Sequence, residues 1–136
     1  MREKRDFRDY LMDILRYAEI GERITVGVDF ETFCSNEEKA LSAVQVLEVI
    51  GEASKGLPKS LKNRYPEVPW NEMAATRDKL IHAYHLVDWE VVWRTLKEDI
   101  TPLKKSMTKI LDDIGKEVSS PRWKTRIKNT SGKSSR

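Results

Sequence analysis

Apolar residues recur along most of this chain at the spacing of one helix face, and this pattern constrains the fold more than any other feature. In the first such segment, from Asp6 to about Arg23, the spacing is three or four residues. Its apolar members are Phe7, Tyr10, Leu11, Ile14, Leu15 and Ala18. A stripe of this period predicts an amphipathic helix. No useful length of the apolar–polar alternation that predicts a half-buried strand is present, so the sequence favours an all-α fold.

Three further helices are predicted by the same argument, over about 35–54, 69–84 and 88–114. The second begins at Ser35, which with Glu38 forms a capping-box pattern. Four main helices with short connections predict an antiparallel bundle of four to five helices.

Single residues predict further details of these helices. Either Pro69 or Trp70 should begin the third helix, because proline is tolerated in a first turn. Asp88 is the expected N-cap of the last helix. Pro102 lies inside that helix and should kink it, because proline removes a backbone donor and crowds the preceding turn. One helical turn is expected around Leu61.

Charge divides the chain into two parts. Residues 116–136 contain seven basic residues and one acidic residue, whereas residues 1–115 contain 18 basic and 21 acidic residues. The C-terminal part also has Ser, Thr, Gly and Pro without a helical apolar period. We therefore expect a helical domain over 1–115 and a basic, disordered tail over 116–136. Such a tail attracts nucleic-acid phosphates, with Trp123 free to stack on a base, or serves only to keep the chain in solution.

Composition excludes several classes of protein. Cys34 is the single cysteine, which excludes an internal disulfide. No stretch reaches the roughly 18–20 apolar residues of a membrane span. The charged start MREKRDFRDY lacks the apolar core of a secretory signal. Phosphate-binding-loop, dinucleotide-binding and nucleophile-elbow motifs are absent. We expect a single-domain protein of the cytoplasm, without membrane contact or cofactor.

Reactive side chains crowd into one segment, RDKLIHAYHLVD at 77–88. Its candidate residues are Arg77, Asp78, His82, Tyr84, His85 and Asp88. A guanidinium binds phosphate and stabilises charge building on its oxygens, and an imidazole transfers a proton near neutral pH. In RNA the ribose 2′-hydroxyl is itself a nucleophile, so these groups suit phosphodiester cleavage without a metal. In the plainer alternative, His82 is only hydrogen-bonded at an interface between helices, and Arg77 only forms a surface salt bridge with a neighbouring acidic residue.

Helix geometry predicts how these side chains meet. Asp78 and His82 are four residues apart, so the carboxylate is expected to orient the imidazole. Tyr84 should nearly eclipse Arg77. His82, however, lies about 140° round the helix from Arg77. A shared site therefore needs long side chains, a break near His82, or a second copy of the helix, which predicts a dimer.

A metal site is the other chemical alternative. Asp78, His82 and His85 are spaced to share one helix face and could supply three ligands. No HExxH pattern is present and a fourth ligand cannot be named, so no metal is predicted.

The segment resembles the HepT-like branch of the HEPN-domain proteins. The family motif is an Arg, four to six residues, a His and, in this branch, a Tyr two positions later. It is complete here as Arg77, DKLI, His82, Ala83 and Tyr84. The flanks are similar and in order: AVQVLEVIGEASKGLP at 43–58, YPEVPWNEMAATRDKLIHAYH at 65–85 and VDWEVVWRTLKEDITPLKK at 87–105. The resemblance covers most of residues 6–114.

This resemblance implies a HEPN-like helical bundle that forms a homodimer, with two motifs facing one cleft. It implies a toxin of a toxin–antitoxin system that cleaves RNA without metal, with Arg77 on the scissile phosphate and His82 as the acid–base group. The implied partner is an MntA-type nucleotidyltransferase antitoxin that transfers AMP from ATP to Tyr84, where a bulky anion would block the cleft. Two alternatives stay open: a non-catalytic partner subunit of a nucleotidyltransferase, and a nucleic-acid-binding module that works through its tail.

Overall fold

The computed structural model describes residues 6–82 and 84–119, with side chains for residues 6–80 and 85–115. Within these ranges the chain forms helices and turns and no strand. The predicted all-α class is confirmed. In the same part of the chain, no helix combines the length and apolar content that crossing a bilayer requires.

Four long helical runs make up the bundle, and two short helices connect them. The helices are α1 (Phe7–Thr25), α2 (Phe30–Ser35), α3 (Glu37–Lys55), α4 (Lys59–Arg64), α5 (Trp70–His82), α6 (Trp89–Arg94) and α7 (Ile100–Ser119). A 3₁₀ turn at Tyr84–Leu86 follows α5, and a π-helical turn at Thr95–Asp99 joins α6 to α7. The short helix α4 confirms the helical turn that was expected around Leu61.

Polar side chains cap the starts of α1, α2, α3 and α6. Asp88 accepts hydrogen bonds from the backbone N–H groups of Glu90 and Val91, which confirms it as the N-cap of α6. The predicted capping box at Ser35 is wrong. Ser35 ends α2, and the side chain of Asn36 caps α3 instead by accepting a hydrogen bond from Lys39. Asparagine and serine are equally good N-cap residues, so the sequence pattern alone could not distinguish Ser35 from Asn36 as the cap.

The core lies where α1 packs against both α3 and α7, and α3 packs in turn against α5. Its completely buried side chains include Leu11, Ile14, Met107 and Ile110. Glu22, near the end of α1, accepts hydrogen bonds from Thr101 Oγ1 at 2.7 Å and Lys104 Nζ at 2.9 Å. Because α7 starts beside the end of α1, these two helices run in opposite directions.

The last helical run is irregular close to Pro102, where the sequence predicts a kink. The irregularity is the π-helical turn at Thr95–Asp99, and Pro102 occupies the first turn of α7. Proline cannot donate to the carbonyl four residues earlier and its ring crowds that carbonyl. The carbonyl concerned belongs to Glu98, which lies inside the π turn.

The predicted boundary between domain and tail falls inside α7. The helix continues to Ser119, four residues past position 115. Residues 120–136, with most of the basic groups and Trp123, lie outside the described residues, so the disordered tail stays a prediction.

Candidate active site

Arg77 lies where α3 and α5 come into closest contact. A β-carbon at Gly51 of α3 would lie 2.6 Å from the backbone oxygen of Met73 and would collide with the β-carbon of Arg77. Only glycine has no side-chain atom there, so it allows the two backbones to approach. Gly51 thereby fixes the position from which the Arg77 side chain starts.

Two carboxylates from different helices hold the Arg77 guanidinium. Nε lies 3.1 Å from Glu52 Oε1 on α3, and Nη1 donates to Asp78 Oδ1 at 3.2 Å. The same oxygen of Asp78 accepts a hydrogen bond of 2.9 Å from Lys55 Nζ. The Arg77 side chain is 25% exposed. The guanidinium is therefore anchored to the protein and still accessible from one side.

Asp78 is ionised in this arrangement. Its pKa is lowered from the usual 3.8, chiefly by the hydrogen bond from Lys55 and next by that from Arg77. The carboxylate thus pairs with two cations. Whether it also orients His82 stays a prediction, because the side chain of His82 lies outside the described side chains.

The two other motif residues lie at a change of backbone conformation. His82 is the last residue of α5, and Tyr84 begins the 3₁₀ turn. The helix predicted to run to about Tyr84 ends two residues earlier, with Tyr84 in the 3₁₀ turn, so the expected eclipse of Arg77 by Tyr84 does not apply. The helix ends at His82. A break near His82 is one of the three alternatives that would allow Arg77 and His82 to share a site.

The metal alternative gains no support from the described side chains. No group of three or more His, Cys, Asp or Glu among them could hold a metal ion. Asp78 is paired with Lys55 and Arg77, and His85 is exposed in the 3₁₀ turn. The His82 side chain is not described, so the complete set of three ligands lies partly outside the described residues.

A groove of about 330 Å³ opens beside Arg77, between α1 and α3. We call it the Arg77 groove; it is lined by Tyr10, Asp13, Glu48, Val49, Glu52, Ala53 and Arg77. Three of its lining residues carry carboxylates and one carries a guanidinium. The groove alone is thus net acidic, which disfavours an RNA phosphate anywhere in it except at Arg77.

A second groove, of about 440 Å³, lies on another face of α5, between α5 and α6. This α5–α6 groove is mainly apolar, and its lining residues include Leu80, Leu86, Val91 and Val92. Leu86 is 73% exposed and Val91 is 53% exposed. Exposed apolar side chains around a groove mark an interaction surface when they cluster. This cluster directly follows the motif in the chain.

Sequence reasoning missed Gly51, Glu52 and Lys55 as parts of the site. All three lie in the segment 43–58 that resembles the family, but about 25 residues before Arg77. Only the crossing of α3 and α5 brings them to the guanidinium. The segment GEASK therefore carries no local signal for this role.

Comparisons with known proteins agree with the motif. The family model described as Ribonuclease HepT-like matches residues 14–110. A protein of Thermococcus cleftensis named "Probable ribonuclease HepT" is 47% identical over 107 residues, covering 79% of this chain and 97% of that protein. "Putative RNase MJ1216" of Methanocaldococcus jannaschii is 43% identical over 118 residues, covering 86% of this chain and 98% of that protein. No solved structure matches the chain.

The matched range contains Arg77, His82 and Tyr84, together with the whole of α3 and α5, the two helices that meet at Arg77. The resemblance drawn from the motif and its flanks is confirmed at the level of the family. This chain belongs to the Ribonuclease HepT-like family.

Proposed function

We propose that this protein is a metal-independent endoribonuclease and the toxin of a toxin–antitoxin system. The observation that carries the proposal is the anchored guanidinium of Arg77 at the start of a complete Arg–His–Tyr motif. Names of relatives support the reaction class, since the two similar proteins are called a ribonuclease and an RNase.

The reaction is an attack of the ribose 2′-oxygen on the adjacent phosphorus. The new bond joins O2′ to phosphorus, and the bond from phosphorus to the 5′-oxygen of the next nucleotide breaks. His82 takes the 2′-hydroxyl proton while water supplies the proton that the leaving 5′-oxygen needs, or His82 supplies that proton while water takes the one from the 2′-hydroxyl. Arg77 binds the scissile phosphate and stabilises the charge that develops on its non-bridging oxygens. The products are a 2′,3′-cyclic phosphate and a 5′-hydroxyl.

A homodimer would complete this site. Arg77 and His82 both lie in α5 and point about 140° apart on a regular helix. A second copy, packed on the α5–α6 groove, brings its own motif to the first and covers Leu86 and Val91. A two-fold interface of this kind places the same surface of both copies in contact. Arg77 of one copy then serves the same phosphate as His82 of the other.

The basic C-terminal segment is the proposed recruiter of RNA. Residues 1–115 carry three more acidic than basic residues, and the Arg77 groove is acidic. Seven basic residues after position 115 supply the attraction to phosphates that the domain lacks. RNA would reach the site from this segment.

A nucleotidyltransferase antitoxin is the proposed regulator. Transfer of AMP from ATP to the Tyr84 hydroxyl joins that oxygen to the α-phosphorus and releases pyrophosphate. The modification adds a negative phosphodiester and a nucleoside two residues after His82. It repels RNA phosphates and occupies the space that the scissile bond needs.

Expression in cells separates a toxin from a harmless subunit. We expect the parent chain to arrest growth and degrade RNA, and the Arg77→Ala and His82→Ala variants to permit growth at equal protein level. Arrest by both variants would contradict the proposed site, and growth with all three chains would contradict the toxin.

One observation favours a second function, that of a non-catalytic partner subunit of a nucleotidyltransferase. The carboxylates of Asp13, Glu48 and Glu52 around Arg77 form a surface better suited to a basic protein segment than to RNA. In that case the chain binds its partner without cleaving RNA, and His82→Ala changes neither property.

A further inference from the structure

We infer that Glu52 is a positioning residue for RNA cleavage, which acts by holding the Arg77 guanidinium in the orientation that receives the scissile phosphate. The inference deepens the proposed function and rests on it, because it presumes that Arg77 binds that phosphate.

The contacts divide the guanidinium into an occupied part and an available part. Glu52 lies against Nε, and Asp78 accepts a hydrogen bond from Nη1. Among the described side chains none contacts Nη2, so this nitrogen is left for a further acceptor. The guanidinium is a rigid plane, so an ion pair at one nitrogen and a hydrogen bond at another restrict both its position and its tilt. A phosphate oxygen then meets a donor whose direction is already set.

Glu52 is placed for this task by the backbone. It directly follows Gly51, where α3 and α5 are in contact, so its side chain starts next to the side chain that it holds. Asp78 is the neighbour of Arg77 in α5 and is itself held by Lys55. The guanidinium is thus fixed from both helices, by Glu52 on α3 and by Asp78 on α5.

Exposure argues against a mainly structural role for Glu52. Its side chain is 61% exposed, and ion pairs of exposed groups contribute little to folding stability. Orientation of a reacting group is a different matter, since a displacement of about 1 Å costs about 100-fold in rate. Removal of Glu52 should therefore affect cleavage far more than folding.

The charge of Glu52 allows a positioning role to be distinguished from electrostatic repulsion of RNA by its carboxylate. A carboxylate beside the phosphate site repels RNA, so its loss by itself should strengthen RNA binding and speed cleavage. A positioning role predicts the opposite for the rate. Affinity and rate therefore move in different directions when the carboxylate is removed.

The experiment measures single-turnover cleavage of a labelled RNA at saturating protein, together with the Kd for a non-cleavable 2′-deoxy analogue. The variants are Glu52→Ala, Glu52→Gln and, as the matched control, Glu48→Ala, which removes a carboxylate from the same groove one turn earlier. We expect Glu52→Ala to lower the rate constant by about 10- to 100-fold without weakening analogue binding. Glu52→Gln keeps an oxygen in the same place and should lose less. Glu48→Ala removes a charge from the groove without touching Arg77, so its rate should not fall below that of the parent.

A double-mutant cycle tests whether Glu52 affects cleavage through Arg77. In an Arg77→Ala background, Glu52→Ala should cause no further loss, because a positioning residue has nothing left to position. The cycle compares the residual rate of Arg77→Ala with that of the double variant. Equal losses in both backgrounds would overturn the inference, as would a parental rate for Glu52→Ala beside a strongly slowed Arg77→Ala. If Arg77→Ala cleaves RNA as fast as the parent, the proposed role of Arg77 is wrong, and so is the positioning role of Glu52 that depends on it. Melting temperatures equal to that of the parent show that the variants are folded.

Discussion

Gly51 and Arg77 face each other across the contact of α3 and α5, and no side chain fits at position 51 unless one of the helices moves. A side-chain atom at Gly51 would collide with Arg77 and lie 2.6 Å from the carbonyl oxygen of Met73. The catalytic arginine of the proposed site therefore stands on the tightest helix contact that any glycine of the described residues makes. Helix packing and site geometry are coupled at this one point.

Gly51→Ala should destabilise the protein by about 1–3 kcal/mol, because a backbone oxygen and the base of another side chain cannot give way cheaply. The control is Gly115→Ala in α7, where an added β-carbon meets nothing within 4 Å. Alanine there should be neutral or stabilise by up to about 1 kcal/mol. Urea unfolding at equilibrium measures both. Equal stability of the two variants would show that α3 and α5 are not in close contact at Gly51.

Stability should depend on pH through Asp78. The folded carboxyl has a pKa below its usual 3.8 because Lys55 and Arg77 donate hydrogen bonds to it, so the unfolded chain takes up a proton first as pH falls. The stabilising effect of the ionised Asp78 is fully present above the usual pKa. It is lost as the pH falls through the lower pKa of the folded protein.

The measurement compares the unfolding free energies of the parent and Asp78→Asn between pH 2 and pH 7. The parent should be the more stable of the two near neutral pH, and its advantage should shrink on acidification. A difference that does not vary with pH would contradict the ion pairs to Asp78.

The α5–α6 groove should be a dimer interface. Leu86→Asp and Val91→Asp place a charge among its exposed apolar side chains, so we expect each to yield a folded monomer without RNA cleavage. Met12→Asp, at an exposed position of α1, is the control and should leave the dimer intact. Light scattering coupled to gel filtration gives the molar mass. A parental mass for both groove variants would place the interface elsewhere.

Deletion of residues 120–136 should weaken RNA binding and reduce its dependence on salt. Six of the seven basic residues after position 115 are removed, and each lost contact with a single-stranded phosphate lowers the slope of log K against log salt by about 0.7. Cleavage at saturating protein should persist, since Arg77 and His82 remain. A truncated chain with parental affinity and slope would show that the domain itself recruits RNA.

How much the sequence predicts differs between the fold and the site. The long helices follow from apolar spacing, and Asp88 is correctly identified as a cap because a single residue suffices for that signal. The start of α3 at Asn36 is missed, since Ser35 and Asn36 compete for the same role. The end of α5 at His82 is missed as well, because no Gly or Pro marks it.

The surroundings of Arg77 could not be read from the sequence. Asp78 is its neighbour in the chain, but Glu52 and Lys55 reach the site only through the crossing of two helices. Spacing along one helix suggested Asp78 as a partner of His82. The described contacts of Asp78 are with two cations, one of which lies 23 residues away in sequence, and its contact with His82 stays a prediction.

The central claim, that Arg77 and His82 cleave RNA without a metal, is tested most directly by labelled RNA incubated with purified protein in EDTA. The parent should produce fragments that end in 2′,3′-cyclic phosphate, and the Arg77→Ala and His82→Ala variants should produce them only at a slow residual rate. Intact mass must first show that the preparation carries no AMP on Tyr84. An unmodified parent that leaves the RNA intact, or variants that cut it as the parent does, would contradict the claim.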